Sequence, residues 1–153
     1  MVRVQGEIVI NRPVDEVFDF VADERNEPRY NLRMLGAEKL SPGPVGLGTQ
    51  FRAEMTSRRR PVVMTIENTG YERPRRLAST TRLSTMEIRG TITFDPVAAG
   101  TRMRWSWELQ PRGLFRLMTP MVARIGQRQE QTIWANLKRL LEVQETPASA
   151  AGG

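Results

Sequence analysis

The chain has 153 residues, no cysteine and no histidine, and carries 23 lysines and arginines against 17 acids for a net charge of +6. Disulfides, thiolate metal sites, a cysteine nucleophile, the Ser-His-Asp arrangement and the common zinc sites are excluded by composition alone. The length suits one domain with a sizeable core, and no apolar run approaches the ~20 residues of a membrane span.

In chain order, Val2, Val4, Gly6, Ile8 and Ile10 alternate with polar residues, the period of a half-buried first strand. Asn11-Arg12-Pro13-Val14-Asp15-Glu16 then reads as a helix start, with Asn11 as cap and acids near the positive end. Val14, Val17, Phe18 and Val21 give a short amphipathic helix ending near Asp23, and a second short helix is predicted over Arg25 to Tyr30.

Alternation returns from Leu32 to Gln110. Strands are predicted over Arg33 to Leu40, Phe51 to Met55, Val62 to Tyr71, Leu77 to Thr81, Met86 to Phe94 and Met103 to Leu109. Short connections make this an antiparallel meander, wet on one face and in need of cover on the other. The cover is Leu114 to Val143, where Leu114, Met118, Met121, Val122, Ile125, Thr132, Ile133, Asn136, Leu137, Leu140 and Leu141 trace a helical stripe. Some 30 residues make roughly 45 Å of helix. Pro120 is expected to kink it and Gly126 to allow close approach. Thr146 to Gly153 lack a periodic face and read as a flexible tail outside a domain of residues 2–143.

These segments resemble the START-like, or helix-grip, superfamily, and within it the polyketide cyclase/dehydrase (SRPBCC) proteins. The resemblance rests on IVINRPVDEVFDFVAD, on GLGTQF entering the third strand, on the turn Tyr71-Glu72-Arg73-Pro74 and on TFDPVAAGTRMRWSWEL. It implies an α+β helix-grip fold: a curved antiparallel sheet of six or seven strands around a long C-terminal helix, with two short helices after the first strand. It also implies a cavity between sheet and helix. Two departures stand out: Tyr30 occupies a position where many relatives carry tryptophan, and the histidines of some catalytic relatives are missing.

By alternation and helical spacing, the residues expected to face that cavity are Phe51, Met55, Met64, Met86, Met103, Trp105, Trp107, Met118, Met121, Val122, Ile125 and Gln129, with Asn136 near the same line. Methionine and tryptophan suit an adaptable apolar surface, although the same stripe equally suits a plain core. The expected ligand is a hydrophobic small molecule such as a polyketide, lipid or isoprenoid, bound without cofactor or metal. Burial of ~400 Å² would yield roughly 10 kcal/mol gross, enough for micromolar-range binding without a polar anchor. A polyketide cyclase-type enzyme and a protein-interaction domain are the alternatives, and no catalytic residue is singled out. The arginines Arg58, Arg59, Arg60, Arg73, Arg75 and Arg76 lack any recognition-helix or RNA-stacking companion, so they are expected to be solvated surface rather than a nucleic-acid site. Arg104 and Glu108 are expected to pair on that surface. A cytoplasmic monomer or homodimer is the expected state.

Overall fold

A computed structural model describes residues 2–151, with side chains over 2–143 apart from Phe115. Seven strands form one sheet: β1 (Val2–Ile10), β2 (Met34–Lys39), β3 (Gln50–Met55), β4 (Val62–Glu72), β5 (Arg76–Leu83), β6 (Met86–Val97) and β7 (Gly100–Pro111). The order is β1-β7-β6-β5-β4-β3-β2, and every pairing is antiparallel. The first two strands therefore occupy opposite edges. Between them, helix α1 (Val14–Ala22) and a 3-10 helix (Glu24–Arg29) carry the chain from one edge to the other.

Helix α1 is not capped as the sequence suggested. Pro13 holds the N-cap position of α1 without a side-chain bond. Asn11 instead donates its backbone N–H to Glu142 at 3.0 Å, tying the first strand to the last helix.

Helix α2 (Thr119–Ala151) follows a 3-10 helix (Gly113–Met118). Pro120 causes no mid-helix kink, because the α-helix begins at Thr119 and the proline lies in its first turn, where its missing N–H leaves no intrahelical bond unmade. The helix also continues beyond the end near Val143 that apolar periodicity predicts; its last turns carry no apolar stripe and so left no periodic signal.

The main core joins the sheet to both helices. Ile10, Leu77, Ile92, Phe94, Met103 and Trp105 meet Val17, Phe18 and Val21 of α1 and Trp134, Leu137 and Leu141 of α2. Phe18 sits edge-on to Tyr71 and Phe94, with ring centroids 5.2 and 5.1 Å away. A smaller cluster of Val2, Val4 and Leu109 packs against Val122 and Ala123 of α2. Gly126 permits this approach: a β-carbon there would lie 3.3 Å from Val4.

Two strand glycines make room for two indoles. Gly6 faces Trp105 across the β1–β7 pairing, and a β-carbon on it would lie 2.5 Å from the ring. Gly90 faces Trp107 across β6–β7, where a β-carbon would meet Trp107 at 2.4 Å and the Ser106 carbonyl at 2.1 Å. Each ring lies over the neighbouring strand because that strand has no side chain there.

The outer face is a lattice of ion pairs. Arg104 pairs with Glu7 at 3.2 Å and Glu108 with Arg3 at 2.9 Å, so the expected Arg104–Glu108 pair is corrected. Register explains it, since Glu7 stands opposite Arg104 and Arg3 opposite Glu108. Glu87 gathers Arg89, Arg112 and Arg82 around it, and its hydrogen bond to Arg89 leads in holding its carboxyl below the usual range. Arg58, Arg59 and Arg60 are exposed between β3 and β4.

Candidate functional site

A cavity of about 210 Å³ lies where the sheet, α2 and the first 3-10 helix converge. The sheet curls enough that β2 through β7 all border it. Met34, Met55, Met64, Ile66, Thr81, Ile88, Ile92 and Trp107 come from the strands, and Ile133 and Trp134 from α2. Alternation explains the selection: Ile88 and Ile92 point inward on β6, while Arg89 between them is exposed.

One end of this cavity is polar. Glu24, Glu27, Tyr30 and Asn31 reach it from the first 3-10 helix and the residues just after it, and Gln129 and Glu130 from α2. The Glu130 carboxylate is held from two elements. Trp107 of β7 and Trp134 of α2 both donate their indole N–H to its Oε2, at 3.0 and 2.7 Å. Burial nevertheless pushes Glu130 up to about 7; the charge of Glu27 adds to the rise, and the two indoles counter it.

Glu24 is raised well above the usual range, by burial first and then by its hydrogen-bonded neighbour Glu27. Asn31 donates to Glu27 at 2.8 Å. Burial also raises the Tyr30 phenol well above its ordinary value, with Glu27 and Glu24 contributing. That ring is 2% exposed, and its hydroxyl makes no hydrogen bond among the described residues. Asn136 fixes the Tyr30 backbone instead, donating to its carbonyl at 3.1 Å. The site can therefore hold an apolar body and meet a polar group with carboxyls whose ionisation burial disfavours and with a phenol.

Four of the residues expected from the sequence meet at this cavity: Met55, Met64, Trp107 and Gln129. The others lie elsewhere. Phe51 is fully buried beneath it with Met34, Ala53 and Ile66. Met103 is fully buried in the main core. Trp105 is also in that core, its ring 5.7 Å from that of Trp134 and its buried N–H unpaired. Met86 and Val122 pack in the Val2, Val4 and Leu109 cluster. Met118, Met121 and Ile125 are exposed on the early part of the C-terminal helical segment.

Sequence reasoning missed Glu24, Glu27, Tyr30, Glu130 and Trp134. A usable signal existed for the last two: Glu130, Trp134, Leu137 and Leu141 recur at i, i+4, i+7 and i+11, so Glu130 lies on the buried stripe.

Comparisons with known proteins agree with this architecture. A family model described as polyketide cyclase/dehydrase and lipid transport matches residues 1–142. A START superfamily protein from Mycobacterium smegmatis superposes with a TM-score of 0.79 at 11% identity, covering 93% of this chain and 98% of that one. The di-domain ARO/CYC BexL from the BE-7585A biosynthetic pathway gives 0.75 at 22% identity, over 93% of this chain and 47% of that one. Ara h 8.0201 gives 0.74 at 12% identity, over 92% and 97%. No curated protein matches the sequence. No helix among the described residues is long and apolar enough to cross a membrane.

Proposed function

We propose that this chain, which belongs to the polyketide cyclase/dehydrase and lipid transport family, binds a small, mainly apolar molecule between its sheet and α2. The observation that carries this reading is the cavity itself: three methionines, three isoleucines from the strands and two indoles enclose it, and the carboxyls of Glu24, Glu27 and Glu130 border it with the Tyr30 phenol.

Its size narrows the ligand. Drug-sized ligands occupy pockets of about 300–1,000 Å³, and about 150 Å³ accommodates benzene. A space of about 210 Å³ suits one substituted ring or a short branched chain. Such a body buries about 250 Å² at most, which contributes about 6 kcal/mol gross and leaves about 2 after association costs. The sequence-based figure assumed a larger ligand; at this size burial alone falls short of the ~8 kcal/mol that micromolar affinity requires. The polar end is then what gives useful affinity.

A second reading is favoured by one group. Glu130, poised near neutrality beside an apolar chamber and fixed by two indoles, has the character of a general acid or base. An acid–base step on the bound molecule would run through it.

Titration with 1-naphthol, followed through the Trp107 and Trp134 emission and by native mass spectrometry, tests binding. A saturable 1:1 complex is expected, and it should be lost in Met64→Trp, whose side chain would occupy the cavity, while cooperative unfolding is retained. Unchanged naphthol binding by that variant would place the ligand elsewhere.

A further inference from the structure

We propose that the polar end of this cavity recognises a protonated amine, so that the ligand is a small amphiphile with an apolar body and a cationic head. The inference rests on the cavity being a ligand site, as proposed above, and specifies what it selects.

The charge distribution is the first argument. The chain carries 23 basic residues against 17 acids, yet three carboxyl groups and no lysine or arginine line the cavity. On the outer face the acids are covered by arginines; here, among the described residues, the partners of Glu24, Glu27 and Glu130 are one another, Asn31 and two indoles. Among the described residues no three such side chains are placed to share a metal ion.

The second argument is the unused phenol. Tyr30 is 2% exposed and lines the same end, and its hydroxyl has no partner among the described residues. Among the described residues the fully buried, unpaired side-chain atoms are Asn68 Oδ1 and Trp105 Nε1; the Tyr30 oxygen is not one of them and opens onto the cavity, where a ligand can reach it. An ammonium group has three donors and no acceptor, which suits an end made of carboxyl oxygens and a phenol oxygen.

The third is the aromatic wall. The rings of Tyr30 and Trp134 lie 5.9 Å apart, and Trp107 reaches the same carboxylate as Trp134. Indole and phenol faces attract cations, more so where water is excluded. An amine head also makes charge-assisted hydrogen bonds, which apolar burial at this size requires as a supplement.

Binding a cation here favours the ionised carboxyls, so it releases protons. The groups that titrate around the head are Glu24, Glu27 and Tyr30, with Asp23 behind them, on the first helical segment and Glu130 on α2; the bordering strand residues are Met34, Met55, Met64, Ile66, Thr81, Ile88, Ile92 and Trp107, none of which titrates. With Glu130 near 7 in the free protein, amine affinity should rise about tenfold from pH 6 to pH 8, while a simple alkylamine stays protonated throughout.

The test compares 3-phenylpropylamine, 3-phenylpropanol and 3-phenylpropanoate, which share one body, by calorimetry at pH 6 and 8. The amine should bind at least tenfold more tightly than the alcohol at pH 8, the acid should bind most weakly, and the amine should release protons. Glu130→Gln should remove most of the amine's advantage and leave the alcohol within about twofold; Tyr30→Phe should weaken the amine without touching its pH dependence. If the alcohol equals or exceeds the amine, or the amine's affinity is flat with pH, the cationic head is refuted and the cavity reading stands. If none of the three binds while 1-naphthol does, the cationic head alone fails; if 1-naphthol fails as well, both readings fall.

Discussion

Replacing Glu130 by glutamine should make the protein more stable at neutral and alkaline pH, although the change removes a charge held by two hydrogen bonds. The amide oxygen can still accept from Trp107 and Trp134, so the contacts at 3.0 and 2.7 Å survive. What disappears is the cost of ionising an acid partly withdrawn from water. The carboxyl sits at about 7 in the fold against 4.5 for an ordinary glutamate. A raised acid means that the folded state holds its proton where the unfolded chain has released it, so stability falls as pH climbs from 4.5 towards 7. The difference of about 2.5 units corresponds to about 3 kcal/mol at pH 8 and under about 1 kcal/mol at pH 5. Urea unfolding of both proteins at pH 5, 6, 7 and 8, followed by circular dichroism, reads this contribution together with the smaller change passed to Glu24, whose carboxyl is raised in part by the charge of Glu130. The advantage of the variant should grow by about 2.5 kcal/mol across that range. Parallel stability–pH curves would refute the burial of Glu130 as described.

Three further outcomes follow from burial and exposure. Leu137→Ala, at a fully buried position between α2 and the sheet, should cost about 2–5 kcal/mol in urea unfolding. Met121→Trp should change neither stability nor naphthol binding, because Met121 is exposed and lies outside the cavity; a loss of either would return Met121 to the interior. Reversing Arg58, Arg59 and Arg60 to glutamate should leave the thermal midpoint nearly unchanged, since all three are exposed, and an RNA- or DNA-binding loss in gel shift at physiological salt would contradict their reading as solvated surface.

The strands were legible because their inward and outward residues differ so sharply: Ile88 and Ile92 against Arg89, or Met103 and Trp105 against Arg104. The grip of α2 was legible from Ile133, Leu137 and Leu141. The site was half legible, and the reason is geometric. Alternation tells which face a residue takes but not how far along the sheet the covering helix reaches, so Met118, Met121 and Ile125 looked like cavity wall and are exposed. Nor does parity show cross-strand neighbours, which is why Arg104 was paired with Glu108 rather than Glu7. Glu24, Glu27 and Glu130 looked like ordinary helix acids in a chain full of arginine. Only the folded arrangement brings the first 3-10 helix and α2 to one cavity, where no basic residue among the described ones lines the wall beside those acids.

The two glycines beneath the indoles place different demands on related sequences. At Gly6 the three atoms nearest to an added β-carbon all belong to the Trp105 ring. A relative with a smaller residue at 105 is free to carry alanine or larger at 6, so the two positions should vary together, and a double-mutant cycle of Gly6→Ala with Trp105→Leu should show strong favourable coupling. At Gly90 the first obstacle is the Ser106 carbonyl, closer than the Trp107 ring. Trimming Trp107 leaves that obstacle in place, so glycine at 90 should persist whatever stands at 107. One indole is thus exchangeable as half of a pair, and the other, which holds Glu130, rests on a position closed by the backbone itself.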